Sequence, residues 1–139
     1  MTLEELATHL AAAPQGLGLT IGTNLYRGPL PDATGSEPAV GLVPRIGGRA
    51  SEQEFGAADL AFEWPRLRVV VRGARQDPAP ARAKAEAIYK VLGKVQAQAL
   101  SGTFYHGIKC FPVAFDRSDA NDRPIYVFDI EVEKEVSAA

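Results

Sequence analysis

The side chains in this sequence whose types could carry chemistry are few and scattered. Cys110 is the sole thiol. A nucleophilic cysteine needs a base beside it and a lowered pKa. His106 lies four residues earlier in what reads as one strand, a spacing that puts both on one face. Free cysteine more often behaves as a small buried hydrophobe, so Cys110 reads as structural, and a lone thiol fits a reducing compartment. His9 falls in a predicted helix and His106 beside Tyr105; neither stands at a metal-ligand spacing from Cys or another His. His106 therefore reads as a structural or surface residue. Asp116, Asp119, Asn121 and Asp122 bring oxygen-rich side chains into one short stretch. A calcium loop needs ligands at alternate positions, a central glycine and a closing glutamate. Ala120 occupies an alternate position here and the glycine is missing, so the stretch reads as a turn built from Asx hydrogen bonds. Gly16, Gly18 and Gly22 resemble a dinucleotide-binding loop. The third glycine comes one position late, and no helix follows to hold a pyrophosphate. No Ser-His-Asp or Cys-His-Asp set can be assembled, so the residues imply no catalytic, cofactor or metal site and point away from an enzyme.

What remains is a chain suited to assembly. Its 139 residues fit one domain, large enough to bury roughly 65–70% of its unfolded surface without a disulfide or metal. Hydrophobic residues make up 46% and charged residues 23%, which argues against disorder. The net charge of −2 lacks the basic excess of a dedicated nucleic-acid binder. The start, Met1-Thr2-Leu3-Glu4-Glu5, is acidic and no apolar stretch follows it, so no secretory leader is expected. No run reaches the ~20 apolar residues of a membrane span.

The elements follow from periodicity and punctuation. Thr2 and Glu5 match a capping box; Leu3, Leu6 and Leu10 recur at helical spacing, predicting a helix from Leu3 to Ala12 that Pro14 and Gly16 stop. Leu17 to Leu25 predicts a weak strand and Ala39 to Val43 a short one. Gly28 to Pro38, and Arg45 to Phe55 with its Gly47-Gly48 pair, read as long exposed loops, which in a small protein tend to bind or form interfaces. In the strand Leu67–Arg72, Leu67, Val69 and Val71 share one face, with Arg66, Arg68 and Arg72 mostly on the other. Asp77 and Pro78 open an alanine-rich helix with an apolar stripe of Ala81, Ala85, Ile88, Tyr89 and Leu92; Val95 to Leu100 reads as one further turn. Thr103 to Phe115 predicts a long strand with Phe104, Ile108 and Cys110 on one face, and Pro112 makes it an edge or a bulge. Pro124 to Val136 is a second long strand with Tyr126, Phe128, Ile130 and Val132 on one side and Asp129, Glu131, Glu133 and Glu135 on the other. The arginine and acidic faces either pair across the sheet or dock on another subunit. Trp64 suits either a core anchor or an interface aromatic. The expected fold is a single α+β domain over residues 1–139. It has a mixed, largely antiparallel sheet, helices packed on one face, and long exposed loops at about 28–38 and 45–65.

These phrases, in this order, resemble a family of phage minor capsid proteins. The run Ile21-Gly22-Thr23-Asn24-Leu25-Tyr26-Arg27-Gly28-Pro29-Leu30-Pro31 is similar to that family's opening phrase. A strand end and Gly-Gly turn follow at Val43 to Gly48, then a strand like Leu67 to Arg72. Next come an "a-aiy--L" helix phrase, Ala85-Glu86-Ala87-Ile88-Tyr89-Lys90-Val91-Leu92, and a hairpin marked by Pro112, Asp116 and Arg123. The resemblance covers Leu17 to Val132, and the family resembles tail terminator proteins of long-tailed bacteriophages.

The resemblance implies a mixed sheet flanked by helices and a structural role in the virion, assembled in the host cytoplasm. It implies a homo-oligomeric ring, commonly a hexamer, at the head-proximal end of the tail. That ring stops tube polymerisation and offers a joining surface to the head. Its implied partners are further copies of itself, the tail tube protein, the head connector, and genomic DNA passing through the lumen in transient, non-specific contact. No membrane and no cofactor are implied. On the ring reading Arg45, Trp64, Arg72 and Arg75 are candidates for the subunit interface or the lumen, although no motif of the family assigns them a role. Another neck component, such as a head-completion or tail-adaptor protein, has the same size and charge. A small ligand-binding domain would need a pocket of converging polar groups.

Overall fold

A computed structural model describes residues 2–53 and 60–137. The elements are α1 (Thr2–Ala11), a 3-10 turn (Ala13–Gln15), β1 (Leu25–Tyr26), β2 (Ala39–Gln53), β3 (Leu60–Arg72), α2 (Pro78–Gly93), β4 (Gln96–Leu100), β5 (Thr103–Cys110), β6 (Ala114–Ser118) and β7 (Pro124–Ser137). Seven strands make one sheet in the order β1-β2-β3-β7-β5-β4, with β6 also paired to β7. Among the described strands only β1 and β2 run parallel; the other pairs are antiparallel. The α+β architecture with a mixed, largely antiparallel sheet is thus as the sequence implies. The sheet curls: α1 touches both β1 and β4, which stand at opposite ends of the strand order.

Alternation decides the two faces. Val40 and Leu42 on β2, Leu67, Val69 and Val71 on β3, and Phe128, Ile130 and Val132 on β7 are buried with the helix residues Leu6, Leu10, Ala81, Ala85, Ile88 and Leu92 in one apolar core. The outer face carries the charges. Each strand shows one side to the helices because its side chains alternate. The alanines of α2 let that helix sit close against the sheet.

Several sequence expectations change. The exposed loop expected at 45–65 is, in its described parts, hairpin: β2 continues to Gln53 and β3 starts at Leu60, while residues 54–59 lie outside the described residues. Gly47-Gly48 falls where the pairing shifts between Arg45↔Arg66 and Arg49↔Trp64. Glycines absorb the extra residues as a bulge, so the pair bends the ladder without ending it. The strand expected over Leu17 to Leu25 shrinks to Leu25–Tyr26, because turns at Thr20–Asn24 take up the glycine-rich run. Val95 to Leu100 is not a helical turn; Gln96–Leu100 is an edge strand on β5.

The strand expected from Thr103 to Phe115 is two collinear pieces on one side of β7. Cys110 faces Ile130 and Ala114 faces Val127, so the Phe111-Pro112-Val113 segment holds one residue more than the β7 stretch opposite. A second shift between Tyr105 and Gly107 buries Tyr105 completely, where unbroken alternation puts Phe104 on the face of Ile108. Asp77 is the N-cap of α2 but its side chain makes no capping hydrogen bond. Glu5 does not reach back along α1 to close a capping box. Its carboxylate accepts from the Thr103 hydroxyl and, at 2.8 Å, from the Tyr105 hydroxyl.

The loop between β1 and β2 lies over the outer face instead of standing free. A Cβ on Gly41 would come within 2.9 Å of the Gly28 carbonyl and 3.2 Å of Leu30, so glycine there permits the loop's close approach.

Candidate functional site

The outer face of the sheet is where the charged rows meet. Arg68 stands opposite Asp129 in the β3–β7 register and Arg66 opposite Glu131. Arg68 Nε donates to Asp129 Oδ1 at 2.8 Å and Nη2 to Oδ2 at 3.4 Å, a forked pair. Arg45 Nη2 stands 3.9 Å from the same carboxylate. The hydrogen bond from Arg68 outweighs partial burial, and with the charges of Arg68, Arg45 and Arg66 it holds Asp129 below the usual carboxylate range. The cross-sheet pairing of arginines and acids is therefore real for this pair. Beside it, the Arg66 guanidinium and the Lys109 ammonium lie 5.5 and 5.3 Å from the centre of the Phe111 ring.

Further along the same face the charges give way to rings. Trp64 is only 8% exposed. Phe62 lies 6.3 Å from Trp64 and 5.2 Å from His106, and Phe104 lies 5.0 Å from His106 on its edge. His106 Nε2 is 3.0 Å from Glu135 Oε1. Between Trp64, Gln96, Gly107, Lys109, Glu131 and Glu133 opens a groove of about 280 Å³.

Of the residues singled out from sequence, Arg45 and Trp64 share this outer face. Arg72 is on the same side of β3 but at its far end, and only 4% exposed. Its Nη2 donates to the Asp32 carbonyl at 3.4 Å. Arg123 donates to that same carbonyl, and pairs with Asp119 at 2.8 Å and Glu37 at 3.8 Å. Two buried guanidinium groups thus brace the loop of residues 27–38 on the sheet. Burial, then repulsion from Arg123, pulls the Arg72 pKa down. Arg75 is exposed in the turn between β3 and α2. The four do not converge on one point.

The residues weighed for chemistry take other positions. Cys110 is half-buried; its Sγ is 3.9 Å from the Tyr89 carbonyl, and burial pushes its pKa up to about 11. The Asp119 carboxylate caps its own turn, accepting from the amides of Asn121 and Arg123 at 3.0 Å each. No group of three or more His, Cys, Asp or Glu among the described residues is placed to hold a metal ion. No described helix is long and apolar enough to cross a membrane.

Sequence reasoning missed a buried polar cluster on the helix side of the sheet. Lys134 Nζ lies 3.8 Å from Glu5 Oε1 and 4.0 Å from Glu63 Oε2, with Tyr105 and Thr103 on the Glu5 carboxylate. The signal was available: counting by twos from Phe128 through Ile130 and Val132 puts Lys134 on the apolar face.

Residues 15–136 match the family model described as bacteriophage tail terminator protein. The chain belongs to that family. The match starts at Gln15, so α1 precedes the part of this tail terminator that the family model covers. Membership makes it a structural component of the phage tail, within the virion, whose setting is assembly with other tail or head proteins. Among solved structures, a chain from the virion of a native gene transfer agent particle has the same fold. The TM-score is 0.66 at 20% identity, over 94% of this chain and 92% of that one. No curated protein matches the chain significantly.

Proposed function

We propose that this tail terminator works as a single domain that closes into a homo-oligomeric, hexameric ring. The ring caps the tail tube at its head-proximal end, offers the head connector a joining surface, and lets genomic DNA pass through its lumen. The family match over residues 15–136 carries this reading. One feature of the fold and one of the sequence favour it. Head-to-tail contacts that close under rotation need two different patches on one subunit, and the aromatic groove beside Trp64 and the turn at Arg75 are two such patches at opposite ends of β3. The net charge of −2 suits a lumen through which DNA slides, since each added phosphate contact would strengthen binding and hinder passage. In this reading the protein's role is structural rather than enzymatic. Arg45, Trp64 and Arg75 serve at the subunit boundary, and Arg72 serves it indirectly by bracing the loop of residues 27–38.

Light scattering during gel filtration, at low and moderate salt, together with negative-stain imaging of purified tails, tests this. The expected result is a six-fold ring and this protein at the head-proximal tip. A strict monomer missing from tails removes the terminator reading. A position on the head side of the joint instead selects a head-completion or tail-adaptor protein.

A further inference from the structure

The groove beside Trp64 has the chemistry of a cation socket. Glu131, Glu133 and the aromatic residue Trp64 line it. Glu133 is exposed and has no ion pair among the described residues. The third charged residue there, Lys109, turns its ammonium to the Phe111 ring. Carboxylates next to an aromatic face suit a guanidinium, which can accept both kinds of contact at once. Gly107 keeps the groove open. Its backbone is not in the left-handed region, and a Cβ there would meet only the Val95 carbonyl at 4.0 Å. Gly107 closes the register shift that begins at Tyr105, where a bulge favours glycine, and the same missing side chain leaves the groove unobstructed.

A matching cation stands at the other end of the molecule. Arg75 is exposed and has no ion pair among the described residues. Its turn is rigidly held: Gly73 N donates to the Pro124 carbonyl at 2.9 Å, Gln76 N to the Asp122 carbonyl at 3.0 Å, and Gln76 Nε2 to Asp122 Oδ2 at 2.7 Å. Gln76 sits at φ 55, a left-handed conformation that residues other than glycine seldom adopt. A strained, well-anchored turn presents Arg75 at little further entropic cost. From Trp64 to Arg72 alone β3 extends roughly 25 Å, so Arg75 and the groove of one chain do not meet.

We propose that Arg75 of one copy enters the Trp64–Glu133 groove of the next copy, as the head-to-tail contact of the ring. This rests on the ring reading above, and names which surfaces meet. The occupant is a second copy because the chain itself carries both the exposed Glu133 carboxylate in the groove and the exposed Arg75 guanidinium, at opposite poles. Both residues are exposed, so Arg75→Glu and Glu133→Arg should fold; thermal melts confirm that before assembly is read. Light scattering on each single variant should show at least a tenfold loss of ring at concentrations where the parent is assembled. The double variant R75E/E133R should recover it. In a Cys110→Ser background, Arg75→Cys with Glu133→Cys should give a ladder of oxidised oligomers, lost on reduction. Rings that persist in both single variants, or a double variant that stays dissociated with no cysteine ladder, overturn the contact while leaving the ring reading standing. A parent protein that never assembles, in solution or on tails, overturns the ring reading itself.

Discussion

Lys134 on β7 and Glu5 on α1 form an ion pair inside the protein, Nζ to Oε1 at 3.8 Å, with both side chains less than 9% exposed. The pair fastens α1, which lies ahead of the family-matched residues, to the C-terminal part of β7, a central strand of the sheet. A buried charge that loses its partner is costly, so Glu5→Ala should destabilise the protein by ~3 kcal/mol. Lys134 would keep only Glu63, whose side chain is 39% exposed. Glu5→Gln retains hydrogen bonding to Thr103 and Tyr105 and should cost less, about 1–2 kcal/mol. Urea unfolding midpoints separate the two. If Glu5→Ala falls within about 0.5 kcal/mol of the parent, it behaves like an ordinary surface substitution, and the pair contributes no stability.

The Arg68–Asp129 fork makes stability depend on acid. Asp129 is held below the usual carboxylate range by its hydrogen bond from Arg68 and the charges around it. A carboxylate with a lowered folded pKa contributes stability that is present above its unfolded value, near 3.9, and is lost as pH falls through the folded value. Melting temperature should therefore drop as pH goes below about 4, and Asp129→Asn should flatten that drop while lowering the plateau at neutral pH. A variant with the same acid slope as the parent would remove Asp129 as its source.

How far the sequence could be read follows from which forces are local. The Leu67–Arg72 strand and the Ala81–Leu92 stripe are legible because their faces are set by periodicity alone. Lys134 was legible too, had the count by twos been carried one step past Val132. Gly47-Gly48 misled because two glycines signal a turn unless the strands on both sides have partners. Those partners, Arg66 and Trp64, lie many residues away. Tyr105 replaced Phe104 in the core because a bulge shifts the alternation by one, and its one local sign was Gly107 inside the strand. The groove beside Trp64 was equally hidden: Gln96, Gly107 and Glu133 come from three strands, and only the sheet order brings them together.

Arg72 and Arg123 predict a loop that loosens without unfolding the sheet. Arg72→Ala removes one of two guanidinium donors to the Asp32 carbonyl. Hydrogen bonds from charged groups are worth ~1.5–3 kcal/mol each. The main effect should be faster hydrogen exchange and proteolytic nicking in residues 27–38, with the core strands β3 and β7 still protected. Arg72→Lys should restore little, since an ammonium lacks the planar, multi-donor geometry that reaches across to the loop. Unchanged exchange in that loop for Arg72→Ala would mean that Arg123 alone holds it.

The thiol of Cys110 gives a test of burial that needs no mutation. Burial pushes its pKa up to about 11, against an ordinary value near 8.5. The thiolate is the reactive form, so at pH 8 the native protein should hold roughly a thousandth of its thiol ionised, where an unfolded chain holds about a quarter. Labelling by a thiol reagent should be at least a hundredfold slower in native protein than in denaturant. The linkage has a definite sign: a raised thiol pKa leaves stability unchanged below about pH 8.5 and erodes it between there and pH 11, because only the unfolded chain gives up the proton. Cys110→Ala should remove that share of the alkaline decline. Native labelling as fast as in denaturant would mean that the β5 edge opens readily and that Cys110 is not shielded by the contact with α2 at Tyr89.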